Sequence, residues 1–214
     1  MISSVSNTRL LGGIRTTHMP TGIFVALLGY LLGSVPFGLI FARLFSKTDP
    51  RRVGSRNIGA TNIFRTAGKT LGVLTLIADV LKGMFPIWLA TQLNLEDIWI
   101  SAAGLAPFLG HIFPIFLGFK GGKGVASALG VYLVLSPISV LIELLLFAAL
   151  VWKWRFVSLG SICCAATMPI LIAFFRSDSR TYFVLSLIVC GLILYRHQAN
   201  ISRLFQGTEN RWRA

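Results

Sequence analysis

Six apolar stretches dominate this chain, and a membrane is the solvent that can hold so many of them with so little charge. They run at about 23–45, 70–93, 98–117, 125–152, 156–175 and 181–195. One helical crossing of a bilayer core takes about 20 mostly apolar residues. A helix also satisfies its own backbone polar groups without water. Charged residues make up 13% of the sequence, about half the share in an average soluble domain. The fold class is therefore an all-α polytopic integral membrane protein. Gly33-Ser-Val-Pro-Phe-Gly38 interrupts the first stretch and predicts a kink near Pro36.

The basic residues orient the spans. Net charge is +13, from 20 Lys and Arg against 7 acids. In a soluble chain this excess would point to nucleic acid. Here it lies between apolar runs, so its first meaning is topological, and no nucleic-acid partner is expected. From Arg43 to Lys69 there are seven basic residues and one acid, Asp49, which makes that loop cytoplasmic and the N-terminus external. The short acidic turn at Asn94-Leu-Glu-Asp97 lies outside, Lys120 and Lys123 inside, and the Arg-rich tail from Arg196 inside.

The stretch 125–152 is too long for one upright crossing. A single tilted helix would leave Lys153, Arg155 and the tail outside. A hairpin of two short helices turning near Ser136-Pro137 keeps them inside, at the cost of arms too short to span a bilayer unaided. The hairpin is preferred on charge. It gives seven transmembrane helices, with the N-terminus outside, the C-terminus cytoplasmic and every polar loop motif on one face. Residues 1–18 read as a disordered extension or a mis-assigned start ahead of Met19, and 19–214 as a single membrane domain.

The polar loops carry the chemistry. Gly54-Ser-Arg-Asn-Ile-Gly-Ala-Thr-Asn62, continuing through Arg65 to Lys69, combines glycines that let backbone N–H groups converge on an anion with neutral donors and fixed positive charge. The bland reading is a basic stop-transfer loop, which accounts for Arg and Lys but not for Gly54, Gly59, Asn57, Thr61 and Asn62. Gly118-Phe-Lys-Gly-Gly-Lys-Gly124 is not a nucleotide P-loop: its spacing is one residue short, Gly124 replaces the Ser or Thr, and an apolar helix precedes it. It still offers Lys123 and a loop backbone to an anion. Asp79 and Lys82, three apart on a helix, form either a functional intramembrane pair or a structural one. Glu143 is expected near the outer end of a short arm, reaching water. His111 reads as a packed histidine. His197 lies at the membrane boundary, and on a continuing helix it shares a face with Asn200.

Other chemistries lack their residues. There is no nucleophile elbow, no zincin motif and no His/Asp acyltransferase dyad. Cys163, Cys164 and Cys190 fall in apolar runs and make neither a disulfide framework nor a metal set. No metal and no cofactor is expected.

Three segments in order, Gly54 to Asn62 with Arg65, Gly118-Phe-Lys-Gly-Gly-Lys-Gly-Val-Ala126 and Tyr195-Arg-His-Gln-Ala-Asn-Ile-Ser-Arg-Leu204, resemble the bacterial acyl-phosphate:glycerol-3-phosphate acyltransferase family, PlsY. The resemblance runs from about Phe24 to Glu209; residues 1–18 have no counterpart, and Arg56 stands where the family often has Gly. It implies transfer of a fatty acyl group from acyl phosphate to the 1-hydroxyl of glycerol 3-phosphate, giving lysophosphatidate and phosphate, in the bacterial cytoplasmic membrane. It implies that Gly54, Ser55 and Asn57 hold the acyl phosphate, supported by Thr61 and Asn62. Arg65 and Lys123 then grip glycerol 3-phosphate in a pocket completed by Ser161, His197 and Asn200, with Ser158 a weaker candidate beside it. Ser55, Arg65, Lys123 and His197 are the expected catalytic residues. The proton acceptor is either His197 or a substrate phosphate oxygen with His197 a binding donor, the latter preferred because no carboxylate lies near His197 in sequence. The partners are these two small molecules and membrane lipid, with no obligatory protein partner. The rival from another class is a phosphate or organophosphate transporter, which would show an inverted repeat with facing broken helices.

Overall fold

The computed structural model describes residues 8–212 and is helical throughout its ordered elements. Helix α1 spans Thr8–Ser34 and α2 Phe37–Phe45, broken at Val35-Pro36 where the kink is predicted. Then follow α3 (Ala60–Thr66), α4 (Lys69–Gln92), α5 (Asp97–Ile112), a single 3-10 turn at Ile115–Leu117, α6 (Val125–Leu135), α7 (Pro137–Trp154), α8 (Val157–Phe175), α9 (Arg180–Arg196) and α10 (Gln198–Phe205). Because α1 already begins at Thr8, helix reaches back through much of the segment expected to be extension; residues 1–7 lie outside the described residues.

Five of these helical stretches are long and apolar enough to cross a membrane, and six if α9 and α10 count as one bent span. Large apolar side chains face outward along them, Trp152 at 79% exposure and Phe174 at 78% among them. Apolar surface on this scale belongs against lipid, so the chain is a multi-pass membrane protein. The stretch 125–152 breaks at Ser136, as the hairpin requires, but the two arms are unequal. Helix α6 has 11 residues and α7 has 18, enough to cross by itself. Pro137 sits at the first helical position, where its missing N–H costs nothing, so α7 starts at once and keeps the full remaining length.

Lipid gives helices little hydrophobic reason to associate, so small residues and buried polar bonds must hold them. Helix α1 packs along α5, α4 along α6, and α7 along α8. At the α4/α6 crossing a Cβ on Gly83 would stand 2.9 Å from Ser127 Cα, and one on Gly130 would stand 2.8 Å from Met84 N. Only glycine permits that approach. Beside it lies a buried polar cluster. Lys82 Nζ bonds Asp79 Oδ1 at 2.8 Å and donates to Val35 O at 2.9 Å, a carbonyl released by the α1/α2 break. His111 Nδ1 is 3.7 Å from the same carboxylate and 3.2 Å from Ser127 Oγ. Asp79 and Lys82 thus form the expected i,i+3 pair, and the pair ties four helices together. Glu143 does not reach water: it is 5% exposed, between α7 and α8, with Oε1 accepting from Thr167 Oγ1 at 2.7 Å.

Candidate active site

The loop before α3 is shaped by one amide. Asn62 Nδ2 faces the carbonyls of Pro50 (2.9 Å), Val53 (3.2 Å) and Asn57 (2.8 Å), while its Oδ1 accepts from Ser55 N at 2.8 Å. Its donors and its oxygen are all engaged within the loop, so Asn62 positions the binding surface more than it forms it. Asn57 Oδ1 accepts from Gly59 N at 2.8 Å. Gly54 (φ +60) and Arg56 (φ +57) both turn left-handed. At Gly54 a Cβ would come within 2.9 Å of Thr66 Cγ2, so this glycine serves the turn from behind the loop. At Arg56 an L side chain is strained. Ser55, Asn57, Thr61 and Arg65 face a cavity of about 590 Å³.

The Gly118–Gly124 segment meets the cavity from the other side, and its glycines have a packing reason. Gly121 N donates to Ile112 O at 3.1 Å and Gly122 N to His111 O at 3.0 Å. Their own carbonyls accept from Arg196, at 2.8 Å and 3.1 Å. These two amides are committed to α5, so the expected backbone cradle does not include them; the segment's contribution to the cavity is Lys123 with Gly124. Lys123 Nζ donates to Asn200 Oδ1. Burial, reinforced by Arg203 and opposed by Glu209, brings its ammonium down to about 8.

Between α9 and α10 the chain bends by 59°. The helix does not continue through His197, as sequence spacing had it, yet His197 and Asn200 still reach the same cavity. His197 is 2% exposed, and its Nδ1 lies 2.8 Å from Ile193 O. A carbonyl can only accept, so Nδ1 carries the proton and Nε2 presents a lone pair. Burial, followed by the Lys123 charge, lowers this imidazole to about 4. It is neutral at physiological pH, so its free nitrogen offers an acceptor and not the binding donor that the resemblance implies. Ser161 lines the cavity from α8, its hydroxyl bonded to Val157 O at 3.0 Å.

Glu209 is the residue that the sequence reading passed over. Its Oε1 accepts from Asn200 Nδ2 (2.6 Å) and Ser158 Oγ (2.8 Å), and its Oε2 from Arg203 Nε (2.7 Å). Burial pushes the carboxyl up, but these bonds outweigh it and hold the group below its ordinary value. Its one sequence signal was that it is the only acid in the arginine-rich tail. Past it Asn210 and Trp212 also line the cavity, and Arg65 stacks 5.9 Å above the Trp212 ring, which in turn lies 4.7 Å from Phe64. Among the described residues no group of three or more His, Cys, Asp or Glu could hold a metal ion.

A family model described as glycerol-3-phosphate acyltransferase matches residues 23–207. The chain belongs to this family. The glycerol-3-phosphate acyltransferase of Syntrophotalea carbinolica is 50% identical over 200 residues, covering 91% of this chain and 100% of that protein. The one from Geobacter sulfurreducens is 49% identical over 193 residues, covering 90% and 98%. Crystal structures of PlsY (YgiH), an integral membrane glycerol 3-phosphate acyltransferase, are similar throughout. The glycerol 3-phosphate form aligns with TM-score 0.86 at 39% identity, over 90% of this chain and 96% of that one. The lysophosphatidic acid form aligns with TM-score 0.82 at 38% identity, over 89% and 95%. The resemblance carried by the three motifs is thereby shown, and the comparisons support an acyltransferase, not a transporter.

Proposed function

We propose that this glycerol-3-phosphate acyltransferase takes its acyl group from acyl phosphate and delivers it to the 1-hydroxyl of glycerol 3-phosphate. The observation that carries this reading is the form of the cavity. One end is a ring of anion-compatible groups from two loops and the α9/α10 bend, and the rest runs between apolar faces of α6, α7, α8 and α9. Such a shape suits a phosphate head and a hydrocarbon tail on one molecule, with a second phosphate beside it.

In this reading the loop of Gly54, Ser55 and Asn57, with Thr61 on its flank and Asn62 holding its shape, receives the acyl phosphate. Arg65 and Lys123 hold the glycerol phosphate, with Ser161 and Asn200 alongside. The hydroxyl oxygen attacks the acyl carbonyl carbon, the bond to the phosphate oxygen breaks, and phosphate leaves with the electron pair. An acyl phosphate is already activated, so orientation and charge stabilisation supply most of the rate. The proton goes to a phosphate oxygen. A phosphate monoester with a second pKa of about 6 is better matched to neutral pH than an imidazole at about 4. His197 Nε2 instead accepts a hydrogen bond from a glycerol hydroxyl and orients it.

The same reading places seven crossings in the bacterial cytoplasmic membrane, with the N-terminus outside and the C-terminus and active site on the cytoplasmic face. Residues 19–214 are the acyltransferase unit, acting without a cofactor or an obligatory protein partner. The basic loops and tail that gather at the polar end of the cavity support this orientation.

Steady-state kinetics of two variants test the assignment. Ser55→Ala should raise KM for acyl phosphate. His197→Gln should raise KM for glycerol 3-phosphate about tenfold or more while keeping most of kcat at saturation. A collapse of kcat in His197→Gln at saturating substrates would make the histidine the base.

A further inference from the structure

Arg65 reaches the cavity without a carboxylate to hold it: among the described residues it makes no ion pair. Its contacts come from the end of the chain. A terminal guanidinium nitrogen donates to Asn210 O at 3.4 Å, and Cζ lies 5.9 Å from the centre of the Trp212 ring. Trp212 lines the same cavity, although it falls beyond the family match, which stops at residue 207.

Trp212 is itself held. Its backbone N–H donates to Arg155 O, the carbonyl of the residue that caps α7. Its ring lies 4.7 Å from the Phe64 ring. Phe64 has little room to move, because α3 approaches α4 so closely that a Cβ on Gly72 would stand 2.5 Å from Phe64 Cβ. Just before it in the chain, Arg211 Cζ lies 5.8 Å from the centre of the Phe156 ring, and Glu209 is bonded to α8 and α10. The indole is therefore a fixed surface and not a loose end.

This contact suits a phosphate site. A carboxylate partner would occupy the guanidinium fork and offset its charge. An aromatic ring engages a guanidinium through its face, and the Asn210 carbonyl takes one N–H, which leaves other in-plane donors for a phosphate. Holding the side chain in the free enzyme also lowers the rotamer entropy that binding must take from it. We propose that Trp212 is a positioning residue for the acceptor substrate: it holds Arg65 at the cavity with a donor edge free for the phosphate of glycerol 3-phosphate. The inference rests on the assignment of Arg65 to that substrate made above.

The test is steady-state kinetics of purified full-length protein, with palmitoyl phosphate and glycerol 3-phosphate varied in turn. Trp212→Leu keeps an apolar side chain but removes the ring. It should raise KM for glycerol 3-phosphate about fivefold, within the range of a cation–π contact, and leave kcat at saturation and KM for palmitoyl phosphate near wild type. Trp212→Phe keeps a ring and should recover most of the loss. Trp212→Met carries the same expectation as Trp212→Leu and replaces it if that variant fails to fold. An unchanged KM for glycerol 3-phosphate without the ring overturns the proposal. So does an equal loss in Trp212→Phe, or a matching rise in both KM values, which would mark a general loosening of the tail. Failure of the Arg65 assignment shows separately, as Arg65→Lys raising KM for palmitoyl phosphate and not for glycerol 3-phosphate, and overturns both.

Discussion

Replacing Glu209 by Gln should do two things to glycerol 3-phosphate capture, and the second is the more diagnostic. The carboxylate accepts from Asn200, Ser158 and Arg203 at 2.6–2.8 Å. Gln keeps the shape but substitutes a donor for one acceptor and removes the charge that Arg203 faces. A hydrogen bond to a charged group is worth ~1.5–3 kcal/mol. Arg203 is partly exposed, which favours the middle of that range, so a loss of ~2 kcal/mol should cost about 30-fold in kcat/KM. The same carboxylate also opposes the burial that brings Lys123 down to about 8. Lys123 must be charged to attract a phosphate, and it is charged below its pKa, so capture falls as pH rises through about 8. Without the Glu209 charge the Lys123 pKa drops further, and the fall begins at lower pH. The assay is kcat/KM for glycerol 3-phosphate against pH, which reports groups of the free enzyme. An alkaline limb in Glu209→Gln that stays at the wild-type position, or moves upward, would refute the coupling of Glu209 to Lys123.

Two further substitutions probe the scaffold through thermal unfolding in detergent. Arg56→Gly relieves a left-handed arginine (φ +57) and should stabilise the protein by ~1 kcal/mol, about 2–4 °C in Tm for a chain of this size; no rise would mean that the loop is not strained there. Lys82→Met leaves Asp79 buried without its counter-ion and should cost about 3–5 kcal/mol, whereas Asp79→Asn combined with Lys82→Met should recover most of it, and an equally unstable double variant would contradict the structural role of the pair.

The long helices were legible because their apolar runs are bounded by turn residues and charge. Starts and stops of α4, α8 and α9 fall within a residue or so of the sequence reading. What escaped it was non-local or below the length at which a pattern shows. Helix α3 has 7 residues inside a polar loop, with no apolar period to reveal it. The bend at His197 follows a normal helical sequence. Asn62 read as a ligand contact, because nothing local says that Pro50, Val53 and Ser55 would consume its amide. Gly121 and Gly122 read as part of an anion-binding loop backbone, since their close approach to α5 exists only once the helices pack. Glu209 was missed because its three partners sit on α8 and α10, and tail contacts of that kind leave only a lone acid among arginines as a trace. The chemistry-bearing positions Ser55, Asn57, Arg65, Lys123, His197 and Asn200 were legible as types, and the structure gathers them around one cavity.

The donor is the central claim, and one measurement addresses it directly. Purified protein in a lipid mesophase or detergent is given glycerol 3-phosphate with palmitoyl phosphate, or with palmitoyl thioesters of coenzyme A or acyl carrier protein, and products are quantified. The account predicts lysophosphatidate acylated at the 1-position and inorganic phosphate in equal amounts from palmitoyl phosphate, and no product from either thioester. Lysophosphatidate from a thioester but not from palmitoyl phosphate would contradict it.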